Sequence, residues 1–375
     1  MTNEKPAKLR VLHIIKSLGR GGAEMLLPET LVFHDKERFE FHYIYFLPWK
    51  DQMVEAIQHE GGKVTCFNAS NNIKIILQIL RVIKYIHVNN IDIIHAHLPW
   101  AGFLARFVHK FHGIPVIYTE HNKQERYHKL TFMLNKLTFR WQDLAISVSN
   151  DVEQSILANI GKKTKVKTIL NGVNLHKFER QKTAVDALKT QLGVPQNTIV
   201  IGTVAVFRFQ KRLKEWMQVF KAASKNNPTL FGVIVGDGPL KGDLLAERKR
   251  LGLEEKILMP GLQTNTVEWF SVFDIFMMTS VFEGLPIALL EAMSMRCAIV
   301  TTSAGGIKEA IEHEKSGLMV EVDKWPDLSQ HLNNLKTNHL ESYGIAARKR
   351  VIEKFSMDIM VNELEKVYLS ISGKI

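Results

Sequence analysis

Short apolar runs alternate with longer helical patterns along this chain, and the alternation starts twice. In the first half the β-rich runs are Leu9–Ile15, Phe39–Leu47, Val64–Phe67, Ile91–His95, Val116–Thr119 and Leu144–Val148. Helical segments such as Met25–Phe33 and Ile73–His87 lie between them. This alternation is typical of a parallel β-sheet that is covered by helices on both faces.

The pattern resumes after a polar and charged stretch, Asn171–Leu192. The later runs are Thr198–Ala205, Leu230–Gly236, Ile257–Met259, Ile275–Met278, Ala298–Thr301 and Gly317–Val320. A chain of 375 residues is longer than a single core usually serves. The sequence therefore predicts an α/β protein with two doubly wound domains, residues 1–180 and residues 181–356, whose strand ends face a cleft.

Composition narrows the class of protein and its partners. Two distant cysteines, Cys66 and Cys297, are expected to be free thiols of a reducing compartment. No run has the length of a membrane-spanning helix, so we expect a cytoplasmic protein, or one that binds a membrane peripherally. The first 180 residues carry 25 Lys and Arg against 16 Asp and Glu, which favours an anionic partner such as a membrane surface or a lipid pyrophosphate. No nucleic-acid-binding module accompanies this charge, so nucleic acid is not an expected partner.

The segment Val281–Met293 places two carboxylates, Glu283 and Glu291, on either side of an apolar run. Pro286 is well suited to the first position of a helix, so Glu283 is expected in a loop and Glu291 on the helix that follows. An open helix N-terminus attracts phosphate, and flanking acids can bind hydroxyl groups. The segment thus fits a sugar–diphosphate–nucleoside. The alternative from spacing alone is an amphipathic helix with one surface Glu and one capping Glu.

Together with the later Gly305–Glu309, this segment resembles the signature of family 4 glycosyltransferases, which are retaining enzymes of the GT-B fold. The resemblance covers nearly the whole chain. It implies that the first domain binds an acceptor and the second a nucleotide-sugar donor. It also implies that the last segment, residues 357–375, is a helix that crosses back to the first domain.

Two cations follow the first strand of the second domain, in the order Arg208-Phe-Gln-Lys211. They could be solvated surface groups, but they resemble the family's Arg-x-x-Lys pair, which implies contacts with the donor diphosphate. Fixed cations stabilise the charge that develops on a leaving diphosphate. In the same reading Glu283 contacts the sugar, Glu291 contacts the ribose, and Gly284 and Leu285 belong to the donor site.

Glycines at strand ends complete the donor prediction. Gly21 and Gly22 follow the first strand without the third glycine of a dinucleotide fingerprint, so they form either a plain turn or, by the resemblance, a loop near the donor phosphates and the acceptor. Gly236, Gly238 and Gly261 lie in turns that the resemblance places beside the nucleotide base.

Histidines mark the strand ends of the first domain. His121 follows a strand, and the resemblance implies a polar contact from it to the donor sugar or the acceptor. His95 and His97 flank Ala96 and are expected to point to opposite faces of a strand, so that one of them is buried, and His97 is a candidate for the acceptor site. The wide spacing of the histidines, without cysteine partners, argues against zinc.

The sequence contains no Asp-x-Asp pair and no evident nucleophile, so no metal and no cofactor are expected. The interpretation is a retaining glycosyltransferase that uses a nucleotide-diphosphate sugar, with a lipid-linked or saccharide acceptor in cell-surface polysaccharide or glycolipid assembly. The alternatives are a nucleotide-sugar epimerase of the same fold and a non-catalytic sugar-nucleotide-binding relative. The segment Arg126–Trp141 mixes cations with apolar residues and predicts either a membrane-surface helix or a helix packed on the sheet.

Overall fold

The computed structural model describes residues 8–180 and 185–373, which divide into two compact units. The first unit extends to Asn171 and resumes at Met357, and the second is Gly172–Ser356. The predicted boundary borders residues 181–184, which lie outside the described residues. Residues 172–180 pack within the second unit, where the ring of Phe178 lies 5.9 Å from that of Phe270.

The first unit contains a seven-stranded parallel sheet in the order β3-β2-β1-β4-β5-β6-β7. Its strands are β1 (Leu9–Ile14), β2 (Phe39–Tyr45), β3 (Lys63–Cys66), β4 (Ile93–His97), β5 (Val116–Glu120), β6 (Leu144–Ser147) and β7 (Val166–Thr168). Its helices up to residue 160 are α1 (Gly22–Phe33), α2 (Val54–His59), α3 (Asn72–Ile76), α4 (Ile79–Asn89), α5 (Pro99–His112), α6 (Lys129–Thr138) and α7 (Asn150–Ile160).

Both faces of this sheet are buried, which explains the continuous apolar character of its strands. Along β1, Leu12 and Ile14 join the core under α3, α4 and α5, whereas Leu9 and Val11 join the core on the opposite face. Successive strand residues point to opposite faces, so a strand between two helical layers needs apolar residues at both.

The second unit contains a six-stranded parallel sheet in the order β10-β9-β8-β11-β12-β13. Its strands are β8 (Ile199–Val204), β9 (Leu230–Val235), β10 (Ile257–Gly261), β11 (Ile275–Met278), β12 (Ala298–Thr302) and β13 (Leu318–Val320). Its helices are α8 (Val185–Gln191), α9 (Leu213–Ser224), α10 (Lys241–Arg250), α11 (Thr266–Val272), α12 (Ile287–Ser294), α13 (Ile307–Ala310), α14 (Leu328–Asn334) and α15 (Thr337–Lys354).

The last helix, α16 (Met357–Ser372), belongs to the first unit. Leu364, Val367 and Tyr368 are buried in the core that contains α1, and Glu365 lies 2.9 Å from the ring of His34. Among the described residues, no helix combines the length and apolar character that a membrane span requires.

Each sheet has one point where the strand order reverses, between β1 and β4 in the first unit and between β8 and β11 in the second. In open parallel sheets, ligands bind outside the carboxyl ends of the strands at such a point. We therefore expect the ligand-binding residues of each unit in the loops that follow these strands.

Candidate functional site

The predicted donor residues of the second unit lie at the carboxyl edge of its sheet, around the reversal point. Arg208 and Lys211 follow β8, and Glu283 follows β11. Because β8 and β11 are adjacent and parallel, their loops leave the sheet side by side. Residues 72 positions apart in the chain are thereby brought into contact.

An ion pair joins the two loops. Nζ of Lys211 lies 2.6 Å from Oε1 of Glu283, and the hydroxyl of Ser280 donates to the same oxygen at 2.6 Å. Further hydrogen bonds hold the loops together: the Thr279 hydroxyl donates to the carbonyls of Lys211 and Arg212, and the Val281 N–H donates to the Gln210 carbonyl. The Glu283 carboxylate is thus fixed in position before any ligand binds.

Arg208 contrasts with Lys211. Its side chain is exposed, and no partner for it is found among the described residues. Its backbone leads into a single 3₁₀ turn, Phe209–Lys211, that ends at Arg212 in the left-handed region with φ of 47°. This edge of the sheet therefore has one uncommitted guanidinium beside one paired ammonium, a set suited to an anion with several oxygens.

Helix α12 carries Glu291 into the interior. Pro286 is the capping residue before the helix rather than its first residue, and Glu291 is 5% exposed. Gly284 and Leu285, which lead into α12, are buried, and the Gly284 carbonyl accepts a hydrogen bond from the Gly306 N–H at 2.8 Å. The two parts of the signature segment are thus neighbours in space.

Two of the predicted glycines are required by close backbone packing. A Cβ on Gly236, whose φ is 139°, would lie 1.9 Å from the carbonyl oxygen of Ala205, and one on Gly238 would lie 2.7 Å from the Phe207 nitrogen. The Gly236 N–H donates to the carbonyl of Gly261. These glycines therefore let the loops after β8, β9 and β10 pack against one another, and their contact with a nucleotide stays a prediction.

The first-unit candidates gather at the carboxyl edge of the other sheet. Gly21 caps α1 and Gly22 is its first residue, and a Cβ on Gly21 would meet the carboxylate of Glu24. His121 follows β5, is half-buried, and lines a cavity of about 30 Å³ that Ala23 of α1 also lines. A cavity of this size holds a water molecule or two rather than a sugar.

His95 and His97 do not divide into one buried and one accessible side chain, so that prediction was wrong. Both are buried, at 2% and 5% exposure, and their ring centroids lie 4.3 Å apart. Residues two apart on a strand share a face. His95 bonds to the hydroxyls of Thr119 and Tyr368, at 2.6 and 2.7 Å.

His13 is a residue that the sequence reasoning missed. It is opposite His95 in the pairing of β1 with β4, and burial holds its pKa well below the usual value. Within the described residues, His13, His95 and His97 offer nitrogen atoms within 4.8 Å of one another. The only signal in the sequence was a histidine within the otherwise apolar run Val11–Ile15, since the register that joins β1 to β4 is not visible there.

Two family models match the chain. Residues 20–177 match the model described as Glycosyltransferase Family 4, and residues 184–354 match Glycosyl transferases group 1. The first range covers most of the first unit and the first few residues of the second, the later range lies within the second unit, and together they take in most of the chain.

Curated relatives and a solved structure agree with these matches. The chain is 23% identical, over 97% of both chains, to the UDP-Gal:alpha-D-GlcNAc-diphosphoundecaprenol alpha-1,3-galactosyltransferase of Escherichia coli. It is 27% identical to an N-acetylgalactosaminyltransferase of Campylobacter jejuni that acts on N-acetylgalactosamine-N,N'-diacetylbacillosaminyl-diphospho-undecaprenol, with 86% of this chain and 88% of that one covered.

The fold is similar to that of Anabaena HepE in complex with UDP and glucose. The TM-score is 0.86 at 19% identity, and the match covers 96% of this chain and all of that one. Two parallel-sheet units, the signature segment at the reversal point of the second sheet, and family matches along both units agree. The chain belongs to the family 4 glycosyltransferases and has their GT-B fold.

Proposed function

We propose that this glycosyltransferase moves a hexosyl group from a UDP-sugar to a hydroxyl of a lipid-linked acceptor, with retention of configuration. The observation that carries the donor half is the Lys211–Glu283 ion pair beside the uncommitted Arg208, at the reversal point of the second sheet. UDP is favoured because the Escherichia coli relative is named for UDP-Gal and HepE was crystallised with UDP.

The proposed roles follow from charge. Arg208 and Lys211 bind the diphosphate, Glu283 accepts hydrogen bonds from the sugar hydroxyls, and Glu291 from the ribose. The bond between C1 and the β-phosphate oxygen breaks while the acceptor oxygen bonds to C1 on the same face. The acceptor proton passes to the departing phosphate oxygen, so no protein base is needed. The two cations stabilise the negative charge that grows on this leaving group.

Thermal unfolding with UDP, GDP and ADP tests the donor class. A ligand that binds only the folded protein stabilises it by about 2.7 kcal/mol at a concentration of 100 Kd. UDP should raise Tm, and GDP and ADP should raise it less. No response to any of the three would contradict the proposal, and conversion of a UDP-sugar to another UDP-sugar without an acceptor would indicate the epimerase instead.

The proposal of a lipid-linked acceptor rests on a basic and apolar surface of the first unit. On α6, Leu130, Met133 and Leu137 follow helical spacing and are 57%, 58% and 70% exposed. Lys129 and Lys136, each next to one of these residues in sequence, are exposed too. This stripe does not pack on the sheet. Apolar side chains flanked by cations are typical of a helix that lies in a membrane interface.

Two other helices of the first unit carry surfaces of the same kind. Helix α5 packs against α3, α4 and α6, and the outer faces of α3 and α4 carry further exposed apolar and basic side chains. These are Ile73, Lys74, Leu77, Leu80, Arg81, Lys84 and Val88. We therefore place the acceptor at an anionic membrane, as for a diphosphate-linked polyprenyl sugar, with the protein bound peripherally at the cytoplasmic face.

Liposome co-sedimentation tests this surface. The wild-type protein should bind anionic vesicles at low salt, and binding should fall as salt rises, because each basic residue near the surface contributes roughly 1 kcal/mol that ions screen. Leu130→Ser/Leu137→Ser should weaken binding. Ile345→Ser/Ile352→Ser, which changes exposed residues of α15 in the second unit, is the matched control. Equal binding to neutral and anionic vesicles would remove the argument for a membrane acceptor.

A further inference from the structure

Three histidines that line the cavity of about 30 Å³ in the first unit form a hydrogen-bonded chain. Nδ1 of His13 lies 2.9 Å from Nε2 of His97, and Nδ1 of His97 lies 3.3 Å from Nε2 of His121. The rings of His13 and His97 are inclined by only 13°, with centroids 5.2 Å apart. We call His13, His97 and His121 the histidine chain.

Burial keeps all three rings neutral near pH 7. The pKa values of His13 and His97 lie well below the usual value, and that of His121 is lowered to about 4. A neutral imidazole has one N–H and one bare nitrogen. His97 therefore donates on one side and accepts on the other, so both hydrogen bonds must run in the same direction.

The buried end of the chain distinguishes the two directions. Nε2 of His13 is buried and has no hydrogen-bond partner among the described residues, and an aromatic ring, Tyr43, stacks on His13 at 5.0 Å. If the bonds ran inward, this nitrogen would carry an N–H with no acceptor. If they run outward, it is a bare acceptor. A buried acceptor without a partner is less rare in proteins than a buried N–H without one.

We propose that His13 and His97 are positioning residues that hold His121 as its Nδ1–H tautomer, so that His121 donates a hydrogen bond to a substrate oxygen. In the outward direction His121 accepts from His97 at Nε2, which leaves its proton on Nδ1. That atom has no other partner among the described residues, and His121 is partly exposed. The tautomer follows from the histidine chain alone, whereas the contact with substrate rests on the proposed function.

A metal ion bound by His13, His95 and His97 is the alternative explanation for these neighbouring rings, and the geometry disfavours it. Zinc bound by imidazoles at 2.0–2.1 Å holds ligand nitrogens roughly 3.3 Å apart. The 2.9 Å separation of His13 from His97 is a hydrogen-bond distance. The third nearby ring, His95, uses both its nitrogens for hydroxyl groups and would have to give one up.

Nitrogen NMR of the full-length protein labelled with ¹⁵N-histidine tests the tautomer without any substrate, because protonated and bare ring nitrogens have well-separated shifts. We expect His121 to be protonated at Nδ1 and bare at Nε2 at pH 7. His13→Phe fills the same space and removes the first donor, so His121 should lose its single tautomer. His13→Asn keeps a donor near the position of Nδ1 and should retain it.

Tyr43→Phe is the control, since it keeps the aromatic ring that stacks on His13 and changes none of the three histidines. An Nε2–H tautomer of His121 in the wild-type protein would overturn the proposal even if a variant failed to fold. An unchanged His121 in folded His13→Phe would also overturn it, as would stoichiometric Zn²⁺ shifting the signals of His13, His95 and His97 together.

Measurement of glycosyl-transfer activity is a separate test of the contact between His121 and substrate. We expect His13→Phe to lower kcat about tenfold and His13→Asn to restore it. If the tautomers behave as expected but activity does not respond, the contact between His121 and substrate is wrong, and the histidine chain stands. If no nucleotide binds at all, the proposed function fails, and the NMR result is unaffected.

Discussion

Glu283 and Glu291 belong to one short segment but lie in different surroundings. Glu283 is held by Lys211 and Ser280 at the end of a loop, whereas Glu291 is buried on α12. In the proposed function Glu283 contacts the sugar, which differs between donors, and Glu291 contacts the ribose, which is common to every UDP-sugar.

This division predicts different losses from two matched substitutions. Glu291→Gln should weaken UDP itself, and Glu283→Gln should spare UDP but weaken the UDP-sugar. Each lost charged hydrogen bond costs about 1.5–3 kcal/mol, or roughly ten- to a hundredfold in Kd. Calorimetry with both ligands measures the difference. Equal loss of UDP in both variants would show that the roles are not divided in this way.

At the scale of single residues, the sequence predicted which side chains carry the chemistry better than it predicted which residues are in contact. The identity and spacing of Arg208, Lys211 and Glu283 were visible, and the structure brings Lys211 and Glu283 into contact. The contact between His13 and His97 was not visible, because it depends on which strands pair and in what register.

At the scale of elements, a buried arginine joins α5 to its neighbours. Arg106 is fully buried and donates from Nε to Gln142 and from Nη1 to Asn135 and Thr138. Its guanidinium also lies over the ring of Tyr118, 4.6 Å from the centroid. One side chain thus links α5, α6 and β5.

Replacement of this side chain should destabilise the first unit. Arg106→Met keeps an unbranched chain but leaves the oxygens of Asn135 and Gln142 without their donors, at a cost of about 3 kcal/mol or more. Urea unfolding measures it. Lys110→Met, one turn later on α5 and exposed, should change the free energy of unfolding by less than about 0.5 kcal/mol. A similar small change for Arg106→Met would show that the network does not support the fold.

Most elements could be predicted because their apolar runs are strong. Ile275–Met278 was predicted with the bounds it has, and β1, β8 and β9 to within a residue or two at each end. The short edge strand β7 was missed, since Val166–Thr168 is only half-buried and carries no apolar run. The start of α12 was off by one residue, because Pro286 suits a capping position as well as the first turn.

At the scale of the whole molecule, buried titratable groups make stability depend on pH. Burial lowers the pKa of His95 to about 3 and that of His121 to about 4. It also holds the pKa values of His13 and His97 well below their usual value. The unfolded chain therefore binds more protons than the folded one below pH 6.5. Burial raises the pKa of Glu120 to about 7, which acts in the opposite sense. The other titratable groups around the cluster are His34, Tyr43, Glu365 and Tyr368.

The stability supplied by neutral histidines should be complete above pH 6.5 and lost as pH falls toward the folded pKa values. The buried histidines outnumber the one offsetting carboxyl, so we expect the free energy of unfolding to fall between pH 6 and pH 5. Urea titrations at pH 7, 6 and 5 measure the slope. A stability that is flat or rises toward pH 5 would contradict the burial of these rings in their neutral form.

The most direct test of the account is calorimetry of UDP binding in EDTA with three proteins: the wild type, Arg208→Ala/Lys211→Ala, and Lys214→Ala. Lys214 is the control because it is 46% exposed and pairs with Asp243 on the surface. The account predicts that the wild type and Lys214→Ala bind UDP equally without metal, and that the double variant loses at least about a hundredfold in affinity. Equal affinity in all three proteins, or binding that appears only after Mg²⁺ or Mn²⁺ is added, would contradict it.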